Sequence, residues 1–323
     1  MKHIGVLTSG GDAPGMNAAI RSVVRTARKR GVQVTGIAHG YNGLIHSEFC
    51  DLDSRSVARI IERGGTMLKS SRSEAFYAEE GRTKAAQNIS ARGIDGLIII
   101  GGDGSMRGAQ ALSAEHNVPF LGLPGTIDND LVGTDFTIGF DTAVQTTVEC
   151  VDKIRDTASS HDRLFLVEVM GRDTGHIALH TAIACGASAV LMPENPLSVE
   201  QLCQRLEYVR LRGKNANIVV VAEGNPTGDA AEVASSLEQI TRDYETRVTV
   251  LGHLQRGGSP TAVERVRATL MGAYAANQLI DGRSDAMAGI IDGMPKLTPI
   301  EEVVSDRAHA SLTDLEQLLE GLV

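Results

Sequence analysis

The sequence predicts an α/β fold in which a parallel sheet is covered by helices on both faces. Three observations predict it. Short apolar, β-branched runs alternate with longer helical patterns; most of those runs end in glycine or an acidic residue; and the composition is that of ordinary packed protein. Hydrophobic residues make up 42% and charged residues 22%, which excludes wholesale disorder. With 323 residues, and roughly 100–200 residues in a typical domain, the chain is long enough for two domains with separate cores.

The first expected strand is Ile4–Thr8, an apolar run stopped by Gly10-Gly11-Asp12. The helix behind it carries Ile20, Val23, Val24 and Ala27 at i, i+3, i+4 and i+7, a core-facing stripe, with Gly31 as its stop. On another face Arg21, Arg25 and Arg28 stand in one row, either a solvated basic face or a grip for an anion. The remaining strands follow as Gln33–Ala38, Gly96–Ile100, Phe120–Leu123, Leu164–Val169, Ala189–Met192, Ile218–Ala222 and Arg247–Leu251. In open α/β sheets ligands lie beyond the carboxyl ends of the strands, so the strand endings are where chemistry is sought. No Pro/Ser/Gly-rich linker divides the chain, which allows it to cross between domains more than once.

Acidic residues outnumber basic ones, 40 to 31, and there are five tyrosines, six phenylalanines and no tryptophan. That is the reverse of a basic, stacking nucleic-acid binder, so no nucleic-acid partner is expected. The four cysteines, Cys50, Cys150, Cys185 and Cys203, are scattered without a CxxC pair, as in reduced cytoplasmic protein. The apolar run Ile4–Leu7 is too short for a signal peptide, and Ile177–Pro193 falls short of the ~20 apolar residues of a membrane span. A cytoplasmic location without membrane association is the expectation.

Glycine is over-represented, 35 residues in all, about 11% against a usual 7% or so. Two glycine–aspartate turns follow strands: Ser9-Gly10-Gly11-Asp12-Ala13-Pro14-Gly15 and Gly101-Gly102-Asp103-Gly104-Ser105. Glycine lets backbone N–H groups turn toward a polyphosphate, and a helix N-terminus behind the loop favours negative charge. Each turn reads as a phosphate cradle, or else as a structural left-handed turn. A carboxylate beside phosphates needs an intervening cation, which makes Asp103 a candidate Mg²⁺ ligand. No GxxxxGK[ST] is present, and Arg107 breaks the GxGxxG spacing after Gly102, so neither a P-loop nor a nicotinamide fingerprint is supported.

Pro124-Gly125-Thr126-Ile127-Asp128-Asn129-Asp130 is the most informative segment. In extended geometry Asp128 and Asp130 would point to one side with Thr126 beside them. Like charges so placed call for a cation or a shared proton. Near a phosphoryl group, one carboxylate can take the proton of an attacking hydroxyl while the other orients it or its metal. Cations recur at later strand ends: Arg163, Arg172, Arg247, and His253 with Arg256. Arginine's planar fork suits phosphate, so a phosphorylated metabolite is the expected ligand, while for any single residue a structural salt bridge remains the alternative. Glu223, after a strongly apolar strand, could accept from sugar hydroxyls. His176 and His180 have zinc-like spacing, but without an HExxH glutamate they read as ordinary helix histidines. No GxSxG elbow supports a hydrolase triad.

Together, Ile4–Ala19, Gly101–Ser105, Pro124–Asp130, Val169–Arg172 and Leu251–Ser259 resemble the bacterial-type ATP-dependent 6-phosphofructokinases, over about residues 1–295. The resemblance implies two doubly wound, Rossmann-like three-layer α/β domains: a larger ATP-binding one of 1–139 with 252–305, and a smaller fructose-6-phosphate-binding one of 140–251 with 306–323. It implies phosphoryl transfer from MgATP to the 1-hydroxyl of fructose 6-phosphate, giving fructose 1,6-bisphosphate and ADP. Asp128 matches the general base, with Thr126 and Asp130 lining the transfer site. Gly11 matches the backbone donor to the transferring phosphoryl, and Arg172 the stabiliser of developing charge. On the ATP side stand Gly11, Arg72, Ser73, Gly102, Asp103, Gly104, Ser105 and Gly108, with Asp103 as magnesium partner. On the sugar-phosphate side stand Thr126, Ile127, Asp128, Met170, Gly171, Arg172, Glu223, His253, Leu254, Gln255 and Arg256. Arg163 and Arg247 match positions that reach into a neighbouring subunit's site in a homotetramer.

Pyrophosphate-using relatives typically carry Asp and Lys where this chain has Gly104 and Gly125, so glycine at both, leaving that space open, implies ATP as donor. Arg21, Arg25, Arg155, Gly186, Arg212 and Lys214 match an effector site for ADP or phosphoenolpyruvate. Ser54, Arg59 and Ser188 replace the family's usual Arg, Asp and Glu there, which implies weak or absent ADP activation. Ser73-Glu74-Ala75 after Arg72, and Tyr77 where arginine is frequent, are further departures on the adenine side.

Overall fold

The computed structural model describes residues 1–158, 163–213 and 217–305, together with 312, 315, 317 and 318. Lys214 and most of 306–323 lie outside the described residues. The chain forms two compact units, one of Met1–Asp141 plus the segment that begins at Arg256, the other beginning with Thr142–Gln255. The first unit opens with β1 (His3–Thr8), α1 (Met16–Lys29), β2 (Gln33–Ile37), α2 (Gly40–His46), β3 (Phe49–Leu52), α3 (Glu79–Arg92), β4 (Gly96–Gly101), α4 (Asp103–His116), β5 (Phe120–Thr126) and β6 (Ile138–Gly139). Next come α5 (Phe140–Ala158), β7 (Arg163–Val169), α6 (His176–Cys185), β8 (Ala189–Leu191), α7 (Val199–Leu211), β9 (Asn217–Ala222), α8 (Ala230–Ile240) and β10 (Glu245–Val250). The first unit is completed by α9 (Ala262–Ile280), β11 (Ala286–Ile291), β12 (Met294–Pro299) and α10 (Ile300–Val303).

Among the described residues the first unit has an eight-stranded sheet in the order β12-β11-β5-β4-β1-β2-β3, with β6 added beside β5. Its centre is parallel, β2 with β1, β1 with β4, β4 with β5 and β5 with β11. Both edges are antiparallel, through β3 and β12. One face buries Leu7, Ile37, Leu44, Leu97, Ile99, Phe120 and Met287. The expected stripe of α1, Ile20, Val23, Val24 and Ala27, is fully buried. α1 meets α9 at small residues: Ser22 Oγ donates to the Thr269 carbonyl at 2.6 Å, and a Cβ on Gly272 would stand 2.7 Å from the Ala19 carbonyl oxygen.

The second unit is a four-stranded parallel sheet among the described residues, β10-β7-β9-β8. Its core contains Leu164, Leu166, Leu191, Leu202, Leu206, Val219, Val221, Val233 and Leu237. Ser198 with Gln201 and Asp229 with Glu232 form capping boxes that start α7 and α8, each worth on the order of 1 kcal/mol.

All eight expected strands are present, with ends displaced by three residues at most. The four that the sequence did not signal are β3, β6, β11 and β12. β6 has two residues, β3 exposes Cys50 and Asp51, and β12 holds Pro295 and Pro299, which an edge strand tolerates. β11 opens with Ala-Met-Ala-Gly, a weak strand pattern.

Candidate functional site

In the first unit three turns emerge side by side from the carboxyl ends of β1, β4 and β5, which are adjacent parallel strands. The β1–α1 turn begins where Ser9 N–H donates to the Ile100 carbonyl at 2.9 Å. Gly10 and Gly15 are left-handed, φ 85° and 101°, so the chain reverses there without a Cβ penalty. The β4–α4 turn is pressed against it: a Cβ on Gly101 would lie 2.5 Å from Ser105 Oγ and 2.6 Å from the Ser9 carbonyl oxygen. The two glycine–aspartate turns picked out in the sequence are therefore one continuous surface. A Cβ on Gly102 would stand 3.6 Å from Thr126 Cβ, which brings the third turn alongside.

That third turn corrects one expectation. β5 ends at Thr126, and Asn129, between the two aspartates, is left-handed with φ 55°, so the alternation of an extended strand does not align Asp128 with Asp130. Asp128 is 5% exposed and its N–H donates to Thr126 Oγ1 at 3.2 Å, while Asp130 is half-buried. Asn129 holds the loop: its Oδ1 accepts from Thr137 N–H at 2.8 Å and its Nδ2 donates to the Asp135 carbonyl at 3.3 Å. Thr137 Oγ1 in turn donates to the Thr126 carbonyl at 2.6 Å. Sequence reasoning passed over Asn129; its signal is that Asn is among the few residues that accept a left-handed backbone. Ile127 is fully buried and packs inward.

Arg256 lies over the first turn. Its Nη1 donates to the Asp12 carbonyl at 3.2 Å and would be 2.5 Å from a Cβ on Gly11, so glycine at 11 makes room for the guanidinium. Its contacts within this unit are thus with the phosphate-type turn, whereas the sequence grouped it with the sugar phosphate. Gly108 has a packing role, since a Cβ there would stand 3.0 Å from the Tyr41 ring. Tyr41 stacks on Phe76 at 3.9 Å and its hydroxyl donates to the Ser105 carbonyl; burial pushes its pKa far up, so it stays a donor. Ser105 is buried. Arg72 is exposed beside half-buried Ser73.

Gly104 and Gly125 differ from each other. No atom lies within 4 Å of a Cβ built on Gly104, so that position is open, as expected. A Cβ on Gly125 would meet Met16 Cε at 2.9 Å, Ile100 Cγ2 at 3.0 Å and Gly101 N at 3.1 Å. Gly125 is thus required by packing in β5, and the expected open space is found only at 104.

Asp103 opens α4, where its carboxylate favours the helix dipole, and it pairs with Arg107 Nε at 2.9 Å. Among the described residues no group of three or more His, Cys, Asp or Glu is gathered as for a protein-caged metal. One half-exposed carboxylate beside glycine turns fits a magnesium ion that is held mainly by phosphates and water. An exposed i,i+4 pair such as Arg107–Asp103 is worth only a few tenths of a kcal/mol and yields readily to such an ion.

In the second unit the turn after β7 is set by Gly171, φ 145°, whose carbonyl accepts from both Thr174 N–H and Thr174 Oγ1 at 3.0 Å. Arg172 follows, exposed and left-handed with φ 58°, and its N–H donates to Glu223 Oε1 at 2.8 Å. The turns after β7 and β9 are thereby locked together; a Cβ on Gly224 would lie 2.1 Å from the Arg172 carbonyl oxygen. His253 and Leu254 are exposed. Gln255 is fully buried; its side chain accepts from Met170 N–H at 3.2 Å and donates to the Gly252 carbonyl at 3.1 Å, so it holds the Met170 turn from inside. Its side chain is spent within the unit, where the sequence grouped it with ligand contacts. Arg163 and Arg247 share one carboxylate, Glu245, which pairs with Arg163 Nε at 3.0 Å and with Arg247 Nη2. The hydrogen bond from Arg163, with the charge of both arginines, holds the Glu245 carboxyl below the ordinary range.

Of the residues matched to an effector site, Arg21 is half-buried and Arg25 exposed on α1. Arg155 donates to the Cys185 carbonyl at the end of α6, next to Gly186, whose φ of 57° terminates that helix. Arg212 lies over the Tyr208 ring at 4.7 Å. His180 Nδ1 bonds to the His176 carbonyl at 2.8 Å, an intrahelical contact that matches their reading as helix histidines. No helix among the described residues is long and apolar enough to cross a membrane.

A family model for phosphofructokinase matches residues 3–279. An ATP-dependent 6-phosphofructokinase of Thermus thermophilus is 53% identical over 321 residues, 99% of each chain. One of Clostridium botulinum is 52% identical over 293 residues, 91% of each chain. Among solved structures, phosphofructokinase of Pichia pastoris matches with a TM-score of 0.90 at 34% identity, over 99% of this chain and 36% of that one, so this chain spans about a third of the yeast chain's length. The pyrophosphate-dependent phosphofructokinase of Marinobacter aquaeolei matches with a TM-score of 0.85 at 21% identity, over 100% of this chain and 92% of that one, a likeness of fold.

Proposed function

Since the chain belongs to the phosphofructokinase family, we propose that it is an ATP-dependent 6-phosphofructokinase, moving a phosphoryl group from MgATP to the 1-hydroxyl of fructose 6-phosphate. The observation that carries this reading is the joining of two glycine turns and a buried aspartate, Asp128, at the ends of three neighbouring strands. Backbone N–H groups there, that of Gly11 among them, bind and orient the donor's phosphates without steric obstruction. Asp128 accepts the proton of the sugar hydroxyl, with Thr126 and Asp130 beside it orienting that hydroxyl. Magnesium, when held on Asp103 and the phosphates, neutralises charge on the donor. Arg172 adds positive charge as the loose transition state develops, and Met170, Gly171, Glu223 and His253 orient the sugar phosphate. Arg163 and Arg247 complete a neighbouring copy's site in a homotetramer. Phosphoryl transfer of this type needs positioning and electrostatics more than covalent help.

Donor choice follows the relatives named ATP-dependent at 52–53% identity and the open position at Gly104. The test is a coupled assay with fructose 6-phosphate and magnesium, ATP and pyrophosphate being rival donors. Turnover with ATP alone is expected; turnover with pyrophosphate alone, or none, overturns the reading. Repeating it with ADP and phosphoenolpyruvate tests the effector reading. With Ser54, Arg59 and Ser188 in place, little response to ADP is expected, and strong ADP activation would refute that.

A further inference from the structure

The stretch 69–73 has no regular secondary structure, yet nearly every residue in it is tied down. Thr8 Oγ1 donates to the Lys69 carbonyl at 2.8 Å, Ser70 Oγ donates to the Gly10 carbonyl, and Ser71 Oγ donates to the His39 carbonyl at 2.8 Å. Asn42, in the first turn of α2, supplies the rest. Its Nδ2 donates to Ser71 Oγ at 3.0 Å and to the Arg72 carbonyl at 3.2 Å, and its Oδ1 accepts from Ser73 Oγ at 2.5 Å. One amide thus fixes three consecutive residues. The side-chain cations of the stretch are the exceptions: the Lys69 ammonium and the Arg72 guanidinium are exposed and make no hydrogen bond or ion pair among the described residues.

α2 is itself immobilised from the other side. Tyr41 is clamped between Phe76 and α4, and a Cβ on Gly43 would fall 1.7 Å from the Ala38 carbonyl oxygen, so the helix lies flush on the preceding chain. Asn42 therefore transmits a rigid reference point to a segment with no ladder of its own. Because Ser70 is bonded to Gly10, that segment borders the glycine turns, and of its two exposed cations, Lys69 and Arg72, it is Arg72 whose backbone Asn42 holds.

We propose that Asn42 is a positioning residue for the donor nucleotide, acting through Arg72. It holds the backbone at 71–73 in place before the phosphates arrive, so binding does not bear the cost of ordering that stretch. The inference rests on the reading of the glycine turns as the nucleotide site and concerns how an anion-binding cation is presented there.

The experiment measures MgATP dissociation constants by titration calorimetry for wild type, Asn42→Ala, Arg72→Ala and the double variant. Arg72→Ala should weaken binding about tenfold, through loss of a charge-assisted contact. Asn42→Ala should weaken it about three- to fivefold, and should add nothing in the Arg72→Ala background, the signature of coupled residues. The KM for fructose 6-phosphate should stay put, and trypsin should cut after Arg72 faster in Asn42→Ala, as the stretch loosens. Unchanged nucleotide affinity in Asn42→Ala, or the same loss repeated without Arg72, overturns the proposal. If the alanine variant does not fold, Asn42→Asp, which keeps the acceptor for Ser73 but loses both donors, takes its place with the same expectation. Wild-type protein that binds MgATP but transfers nothing to fructose 6-phosphate would overturn the enzymatic reading while leaving this comparison standing.

Discussion

The two units present different kinds of group at the positions proposed to meet phosphate. The first offers backbone: glycine turns so close that a Cβ on Gly101 would lie 2.6 Å from the Ser9 carbonyl oxygen, with one carboxylate on α4 and a guanidinium laid over Gly11. The second carries side-chain cations: Arg163 and Arg247 are engaged on Glu245, whereas Arg172 is tied to Glu223 by its backbone N–H and not by its guanidinium. A backbone cradle carries no net charge and cannot be neutralised by a neighbour, but it is intolerant of added atoms. A cationic site tolerates substitution sterically, and its strength depends on which carboxylate holds the arginine in readiness. Glycine spacing announces the first kind of site. Arginines at strand ends announce the second kind in part, but not the carboxylate they share, since Glu245 is two positions from Arg247 and 82 from Arg163.

The contrast can be broken or sharpened by experiment. The largest effect is expected at the proton acceptor: Asp128→Ser should lower kcat by roughly 10²–10⁴ with MgATP affinity preserved in calorimetry. Unchanged turnover removes Asp128 from the chemistry. Next comes the steric rule of the first unit. Gly101→Ala places a methyl 2.5 Å from Ser105 Oγ and 2.6 Å from a backbone oxygen, and should cost about 1–3 kcal/mol in a denaturant titration. Gly104→Ala meets no atom within 4 Å and should stay within about 0.5 kcal/mol of wild type, yet weaken nucleotide binding. Equal stability losses at the two glycines would refute the distinction drawn between them.

The smallest effect is expected at Glu245. Its folded pKa is depressed, first by the Arg163 hydrogen bond and then by the surrounding charge. Such a group stabilises the fold above its unfolded pKa of about 4.3 and loses that contribution as pH falls through the lower folded value. Wild type should therefore melt slightly above Glu245→Gln at neutral pH, the two converging in acid. A gap that widens below pH 4 or so would contradict the assignment.

Much of this molecule was legible in advance because it is written locally. Strands of Ile and Val between glycines, a stripe at 20, 23, 24 and 27, and turns of the Gly-Gly-Asp type are decided by residues next to one another. What escaped the sequence depends on distant neighbours. Edge strands β3 and β12 lack the strand–helix alternation that betrays central ones. Gln255, matched to the sugar-phosphate side by resemblance alone, is buried with its side chain bonded to Met170, 85 positions away, as well as to Gly252. Arg256 stands beside Gly11 though 245 positions separate them. The expected alignment of Asp128 and Asp130 in extended geometry fails at Asn129, which is left-handed, and asparagine permits such a turn without forcing it.

The seam between α1 and α9, where Ser22 reaches Thr269, has a bearing on biosynthesis. β11 sits beside β5, and the helix that covers α1 begins only at Ala262. While a ribosome is still producing residues 142–255, the earlier strands have been made but one flank of β5 and the buried stripe of α1 await partners not yet translated. The strands of the second unit are thus all made before those of the first are complete. Nascent chains halted near residue 255 should bind chaperones strongly and aggregate when released, whereas those extended past Pro299 should not.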